Sequence, residues 1–203
     1  MKRGKGIRGM IIFLLLIFML VGYYFYLSNR TKASGGDEEE TTQVQEILLR
    51  DLERNYPASP KEVLKYYSEL TKCLYNEDCS DEELDQLARK AMELYDEELA
   101  GYQSELTYVD DVKEEVASFR KDDIQISSYK TSVSTDVDYF TKDGKECARL
   151  YCTYTVRQGT SLSSVEEVFV LRKDEEGHWK IYGWQKADPN AGQRLEEDDQ
   201  GND

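Results

Sequence analysis

Histidine and proline are scarce in this chain of 203 residues, which contains 1 His and 3 Pro. With a single His and no Cys-x-x-Cys pair, a zinc site is not expected, because such sites draw their ligands from clustered Cys and His. The G-x-S-x-G, H-E-x-x-H, P-loop and G-x-G-x-x-G motifs are also missing, so no recognisable nucleophile, metalloprotease or nucleotide-binding machinery is present. We therefore expect no metal and no cofactor.

Basic residues are also few, with 26 Lys and Arg against 41 Asp and Glu and a formal net charge of -15. Five of the basic residues and none of the acidic ones lie in residues 1–30, so the rest of the chain is still more acidic. Such a surface repels phosphate backbones, which excludes nucleic acid as a partner. The hydrophobic content of 39% is enough for a core, and the length suits about one domain with additional segments.

The longest apolar run extends from Met10 to Leu27 and contains no charged residue. As a helix it would be about 27 Å long, close to the thickness of a bilayer core. The basic residues before it predict a cytoplasmic leader (1–9), a transmembrane helix (10–28) and an extracytoplasmic remainder at the cell membrane. A cleavable signal peptide is the alternative, but its apolar core is usually shorter and is followed by a small-residue cleavage site, for which Thr31-Lys32-Ala33 is a poor match.

Beyond the predicted membrane helix, composition divides the chain into a polar stalk (29–41), a domain (42–187) and an acidic tail (188–203) that we expect to be disordered. The first part of the domain has the apolar spacing of helices. A short helix is predicted over 42–55, and three amphipathic helices follow. The first begins after Ser59 and ends near Tyr75, the second begins after Ser80, and the third spans 104–120.

After Asp123 the apolar period changes from 3.6 to 2, which predicts β-strands. Asp143-Gly144 is a strong signal for a hairpin turn, and residues 146–157 alternate clearly between apolar and polar side chains. About four antiparallel strands are expected. Helices followed by strands indicate an α+β domain in which the three amphipathic helices pack on one face of a curved sheet.

Two regions of the domain carry a resemblance to known proteins. The helical segment SPKEVLKYYSEL and the closing strands EEVFVLRKDEEGHWKIYGWQ resemble the nuclear-transport-factor-two-like (SnoaL-like) cone fold. The segment YNEDCSDEELDQLARKAMELYDEEL is similar to an uncharacterised family of membrane-anchored proteins of Gram-positive gut bacteria. The resemblance covers residues 44–187. It implies topology and location, and it supplies no catalytic residues, because proteins of one fold perform many functions.

Four cysteines face a compartment in which disulfides are allowed. Cys73 and Cys79 lie at a corner between two predicted helices, where a bridge is geometrically feasible, although the thiols of an anaerobic cell can stay reduced. Cys147 and Cys152 lie too far apart on one strand to pair. We interpret Cys152 as a buried thiol.

Tyrosine is unusually frequent, with 15 residues. In a cone-shaped domain, Tyr67, Tyr95, Tyr154 and Trp184 are candidates for a ligand pocket, since they combine apolar faces with polar groups. The alternative is that they fill the core. His178 and the pair Glu166 and Glu167 are weak catalytic candidates.

Carboxylate pairs on the third amphipathic helix, including Glu114 with Glu115, are interpreted as solvated surface. Catalysis is therefore not the favoured interpretation. The sequence favours a membrane-tethered extracytoplasmic module that binds an envelope protein or a cell-wall fragment without converting it. The alternatives are a small-molecule isomerase or dehydratase that uses the cone cavity, and a structural subunit that dimerises through its sheet.

Overall fold

A computed structural model describes residues 42–188, which form an α+β fold with five helices followed by five strands. The helices are α1 (Gln43–Leu49), α2 (Pro60–Asn76), α3 (Asp81–Met92), α4 (Glu97–Ala100) and α5 (Glu105–Lys121). The strands are β1 (Ile124–Thr131), β2 (Asp138–Lys142), β3 (Lys145–Gln158), β4 (Ser161–Lys173) and β5 (Trp179–Lys186). A 3-10 helix, Ser134–Asp136, joins β1 to β2.

The predicted leader, membrane helix and stalk, and all but the first residue of the predicted tail, lie outside the described residues. None of the helices between residues 42 and 188 combines the length and apolar character that a membrane span requires.

Capping side chains start α2 and α3 at the predicted positions. Ser80 accepts a hydrogen bond from the Glu83 N–H, and the Glu83 carboxylate accepts one from the Ser80 N–H, which completes a capping box. Ser59 likewise accepts from the Glu62 N–H, but the Glu62 carboxylate accepts from the Ala58 N–H, one residue earlier than expected.

The helices differ from the sequence-based expectation at one boundary and by one additional helix. The helix predicted over 42–55 ends at Leu49, because the Asp51 carboxylate accepts the N–H groups of Glu53 and Arg54 and stabilises a turn instead. The short helix α4, capped by Asp96, was not expected, since four residues are too few for an apolar period.

The antiparallel sheet has five strands rather than four. Its order is β1-β3-β4-β5, and β2 also pairs with β3. Strands β1 and β2 pair with successive halves of β3 and share one of its edges. The predicted turn at Asp143-Gly144 implies a strand before it, but β2 has no apolar alternation of its own because only Phe140 is partly buried.

Turns and bulges fix which side chains face inward. Asp143 and Gly144 both have positive φ (53° and 77°), as the predicted hairpin turn requires. In β5, Ile181 pairs with Leu171 and Gly183 pairs with Val170, so Tyr182 is an extra residue without a partner. This bulge lets Ile181 and Trp184 both face inward although three positions separate them.

The helices cover the inner face of the sheet and form one core with it. In β3 the predicted alternation is confirmed, because Ala148, Leu150, Cys152 and Tyr154 are buried whereas Tyr151 is exposed. Asn76, at the end of α2, clamps the helices to the sheet. Its side chain donates to the Ile126 carbonyl (2.8 Å) and accepts from the Ile126 N–H (2.9 Å).

Candidate functional site

A cavity of about 280 Å³ lies between the helices and the inner face of the sheet. Seven aromatic residues line it, and five of them are tyrosines. The aromatic residues are Tyr67, Tyr75, Tyr95, Tyr108, Phe119, Tyr154 and Trp184. The volume is near the lower end of the range found for ligand sites, roughly 300–1,000 Å³, so the space suits a small molecule.

Helix α2 supplies one wall of the cavity. Tyr67, Thr71 and Tyr75 all line it, and their spacing of four residues places them on one face of the helix. The Thr71 hydroxyl donates to the Tyr67 carbonyl (2.8 Å), so it is occupied within the helix. The Asn76 clamp follows directly after Tyr75 and fixes this end of α2 on the sheet.

Three tyrosine hydroxyls form a chain across the cavity wall. The Tyr95 hydroxyl lies 2.9 Å from that of Tyr108 and 3.4 Å from that of Tyr67. Burial raises the pKa of all three tyrosines above the ordinary value. The three hydroxyls therefore stay protonated, so that each can donate as well as accept a hydrogen bond.

Backbone bonds to β5 hold Tyr95 in position. The N–H of Ile181 donates to the Leu94 carbonyl and the N–H of Asp96 donates to the Ile181 carbonyl, both at 2.8 Å. The Asp96 carboxylate in turn accepts from Arg172 on β4 (Nε to Oδ2, 2.8 Å). This buried ion pair connects the segment that carries Tyr95 to the sheet.

Tyr154 belongs to a separate polar group. Its hydroxyl lies 3.1 Å from the Ser68 hydroxyl, which lies 3.4 Å from the Cys152 sulfur. All three residues are buried. Burial raises the pKa of Tyr154, and it raises the pKa of the Cys152 thiol as well, so both groups are neutral at pH 7.

Trp184 forms the wall on β5 and is 38% exposed. Its ring stacks on Phe169 with a centroid separation of 5.9 Å and an interplanar angle of 18°. The ring centroids of Tyr67 and Tyr95 each lie 5.7 Å from that of Trp184. Trp184 thus joins the buried aromatic cluster to the solvent-facing side of the cavity.

Two carboxylates also line the cavity, Glu115 from α5 and Glu167 from β4. Glu115 is exposed and Glu167 is partly buried. Burial raises the pKa of Glu167, and the nearby charge of Glu115 raises it further. The pKa of Tyr75 is also raised, first by burial and then by the charge of Glu115.

The structure brings together the four aromatic residues that the sequence nominated, Tyr67, Tyr95, Tyr154 and Trp184. Their role in binding a ligand remains a prediction. Glu115 is exposed, as the interpretation of solvated surface expects, and it also lines the cavity. Its spacing of four residues from Phe119, which is itself on the apolar stripe, was the signal that could have identified it.

The two weak catalytic candidates on β4 lie on opposite faces of the strand. Glu167 lines the cavity, whereas Glu166 is exposed and its carboxylate lies 3.4 Å from the Thr153 hydroxyl. Glu167 lies on the inner face of β4 between the partly buried Val165 and the fully buried Phe169.

His178 lies at the β4–β5 turn, away from the cavity. Its Nδ1 is 3.7 Å from an Asp174 oxygen and 3.5 Å from a Glu176 oxygen, a grouping that offers three ligand atoms to a metal ion. The Asp174 carboxylate already accepts the backbone N–H groups of Glu176 and His178 (3.0 and 2.7 Å). A structural role in the turn therefore accounts for this grouping of side chains.

Cys73 and Cys79 are both buried and are both free thiols. The two side chains interact across the α2–α3 corner. Burial, followed by the neighbouring Cys79, raises the pKa of Cys73 to about 12. The bridge between them remains a prediction. Cys152 is buried, as expected.

Comparison with known proteins gives one result. A family model described as "Domain of unknown function (DUF6715)" matches residues 1–184. The match therefore runs from the predicted leader to Trp184. No curated protein matches the chain.

Proposed function

Because the chain belongs to the family described as "Domain of unknown function (DUF6715)", a description that names no activity, we propose its function from the cavity: the domain binds a small ligand without converting it. Residues 10–28 tether it to the outer side of the cell membrane. This proposal refines the binding module expected from the sequence by placing a small molecule in the cavity instead of a partner protein.

The aromatic cavity is the observation that carries this proposal. The cavity is a partly open pocket of about 280 Å³ beside buried tyrosines and a partly exposed tryptophan. Apolar faces with a few polar groups at fixed positions are the usual features of ligand pockets. The order of helices and strands also supports a nuclear-transport-factor-two-like cone, in which the cavity would be the mouth.

Tethering rests on the sequence. The uncharged run from Met10 to Leu27 has the length of a membrane helix, and the basic residues precede it. Protease added to intact cells should remove the chain beyond residue 41 and spare the leader. A tag fused after Asp203 that is reachable only from the cytosol would overturn the extracytoplasmic location.

A panel of small molecules tests the binding function. The full-length chain, purified in an uncharged maltoside detergent, is screened by ligand-observed NMR against amines, amino acids, sugars and short peptides. Val165→Phe places a ring in the cavity and should abolish binding, because Val165 lines it. Val168→Phe is the matched control, since Val168 lies on the outer face of the same strand.

Binding that survives Val165→Phe, or is lost equally in both variants, contradicts the proposed site. If no compound in the panel binds to the wild-type chain, the proposal also fails. Thermal unfolding of each variant shows that the fold is retained.

An isomerase or dehydratase is the second candidate, favoured by the raised pKa of Glu167 beside protonated tyrosines. A partly buried carboxylate of raised pKa suits a general base or acid near neutral pH. Each compound found to bind is therefore incubated with the protein and analysed by mass spectrometry and NMR for isomerised or dehydrated products. Turnover that disappears in Glu167→Gln while binding persists would establish the enzyme, and unchanged ligand supports simple binding.

A further inference from the structure

The charge inside the cavity is one-sided. Glu115 and Glu167 both line it, and no Lys, Arg or His among the described residues does so. Neither carboxylate takes part in a salt bridge within residues 42–188. Lys186 on β5 pairs in register with Glu167 on β4, but the two side chains form no salt bridge within residues 42–188. Two cations on α5 are engaged elsewhere. Lys113 pairs with Asp85 (2.5 Å), and Arg120 donates to the Glu77 carbonyl (2.8 Å).

The negative charge of Glu167 carries an energetic penalty, because this residue is partly buried and lies near the charge of Glu115. Removing a carboxylate from water is unfavourable unless a charge or hydrogen bonds compensate it. The Glu115 carboxylate approaches the Tyr75 hydroxyl, but Glu167 has no hydrogen-bond partner in the described part of the chain. A positively charged ligand would supply the missing compensation, whereas a sugar would bring no charge.

The remaining lining also suits a cation. Aromatic faces attract cationic groups through the ring quadrupole, most strongly at tryptophan. Trp184 exposes part of its ring, and Tyr67 and Tyr95 lie beside it. The net charge of -15 adds a long-range field that draws cations toward the domain.

We infer that the ligand of this cavity is a small organic cation, an amine or quaternary ammonium compound, whose charged group lies between Glu115, Glu167 and the ring of Trp184. This inference rests on the proposed binding function and adds the chemical class of the ligand. The volume of about 280 Å³ limits the ligand to a compound of small size.

Choline and its neutral carbon isostere, in which a quaternary carbon replaces the nitrogen, test the inference. They share their shape and differ in charge. Dissociation constants are measured by ligand-observed NMR with the full-length chain in maltoside detergent at low salt. Choline should bind about a hundredfold more tightly than the isostere, because the aromatic face and the two carboxylates each favour the cation about tenfold.

A pair of double variants separates the cavity charges from the net charge. Glu115→Gln with Glu167→Gln should weaken choline about tenfold and leave the isostere unchanged, because only the cation loses its partners. Glu114→Gln with Glu166→Gln removes the same number of charges from the neighbouring positions, which do not line the cavity. This control should bind choline as the wild-type chain does.

The outcomes distinguish the two proposals. Equal affinity for choline and the isostere, or equal weakening of choline in both double variants, overturns the cation inference and leaves the binding function standing. Binding of neither probe overturns the cation inference, and the wider compound panel then decides the binding function independently. A thermal unfolding curve for each variant confirms that a lost signal does not reflect a lost fold.

Discussion

The hydroxyl chain of Tyr67, Tyr95 and Tyr108 makes a quantitative prediction, because its middle member takes part in two hydrogen bonds. The Tyr95–Tyr108 bond is 2.9 Å long and should contribute about 1 kcal/mol, a typical net value. The Tyr67–Tyr95 separation of 3.4 Å is outside the usual O–H···O range, so about 0.5 kcal/mol is expected from it. Replacing each tyrosine by phenylalanine removes only the hydroxyl.

The loss of folding free energy should depend on the position of each tyrosine in the hydroxyl chain. Tyr95→Phe should lower the free energy of unfolding by about 1.5 kcal/mol, Tyr108→Phe by about 1 kcal/mol and Tyr67→Phe by about 0.5 kcal/mol. The double variant of Tyr95 and Tyr108 should cost about 1.5 kcal/mol rather than the sum of about 2.5 kcal/mol, because both single changes break the same bond. The coupling between these two positions is therefore about 1 kcal/mol.

Urea unfolding of the full-length chain in maltoside detergent, followed by tryptophan emission, measures these values. Tyr102→Phe is the control, since Tyr102 is 91% exposed and its change should cost nothing measurable. Additive costs for Tyr95 and Tyr108 would refute the shared bond. A larger cost for Tyr67 than for Tyr95 would refute the proposed order of the chain.

Three further predictions concern other parts of the domain. Oxidation should join Cys73 to Cys79 and raise the free energy of unfolding by about 2 kcal/mol, because the bridge closes a loop of seven residues, counted inclusively, in the unfolded chain; peptide mass spectrometry and urea unfolding measure this. Glu167→Gln should stabilise the domain at pH 7. The pKa of Glu167 is higher in the folded than in the unfolded state, so the wild-type chain loses stability as pH rises from about 4.3 through the folded pKa; the variant should lack this loss in unfolding curves taken across that range. Arg172→Met should cost about 3–5 kcal/mol in urea unfolding, since it leaves the buried Asp96 carboxylate without its partner.

Matched changes identify what would contradict these three predictions. Cys147→Ser should not affect the oxidative stabilisation, and a bridge that includes Cys147 would contradict the pairing. Glu166→Gln removes an exposed charge, and an equal gain from it would show that net charge, not burial, acts at Glu167. Glu98→Gln removes the more exposed partner of Arg172, and a cost as large as that of Arg172→Met would contradict the dominant role of Asp96.

The sequence predicts the local parts of the fold well, because their signals are local. Ser80 and Glu83 form the expected capping box, and Asp143-Gly144 forms the expected turn. Strand β2 buries only part of Phe140, so its own residues have no apolar alternation. The only sequence signal for this strand is the Asp143-Gly144 turn, which joins it to β3 as a hairpin.

The cavity was predicted only in part, for a similar reason. A high tyrosine count with an expected cone nominated Tyr95 and Trp184, which the structure places beside each other. The roles of Glu115 and Glu167 depend on how α5 faces β4, and this packing has no signature in either segment alone. From sequence alone, a carboxylate at the border of an apolar stripe is predicted to lie in solvent. Its position beside a cavity becomes apparent only when the element packed against the helix is known.

Because Tyr182 is an extra residue in β5, removing it would shorten the strand without changing which face the flanking side chains point to. A relative that lacked Tyr182 would pair Ile181 with Leu171 and Gly183 with Val170 in a regular ladder, and Trp184 would still point toward Phe169. Sequence alignments across this strand should therefore tolerate a gap of one position between Ile181 and Gly183. Between Phe169 and Leu171 the pairing has no extra residue. A gap of one residue there would instead reverse the direction of the side chains in the part of β4 that follows it.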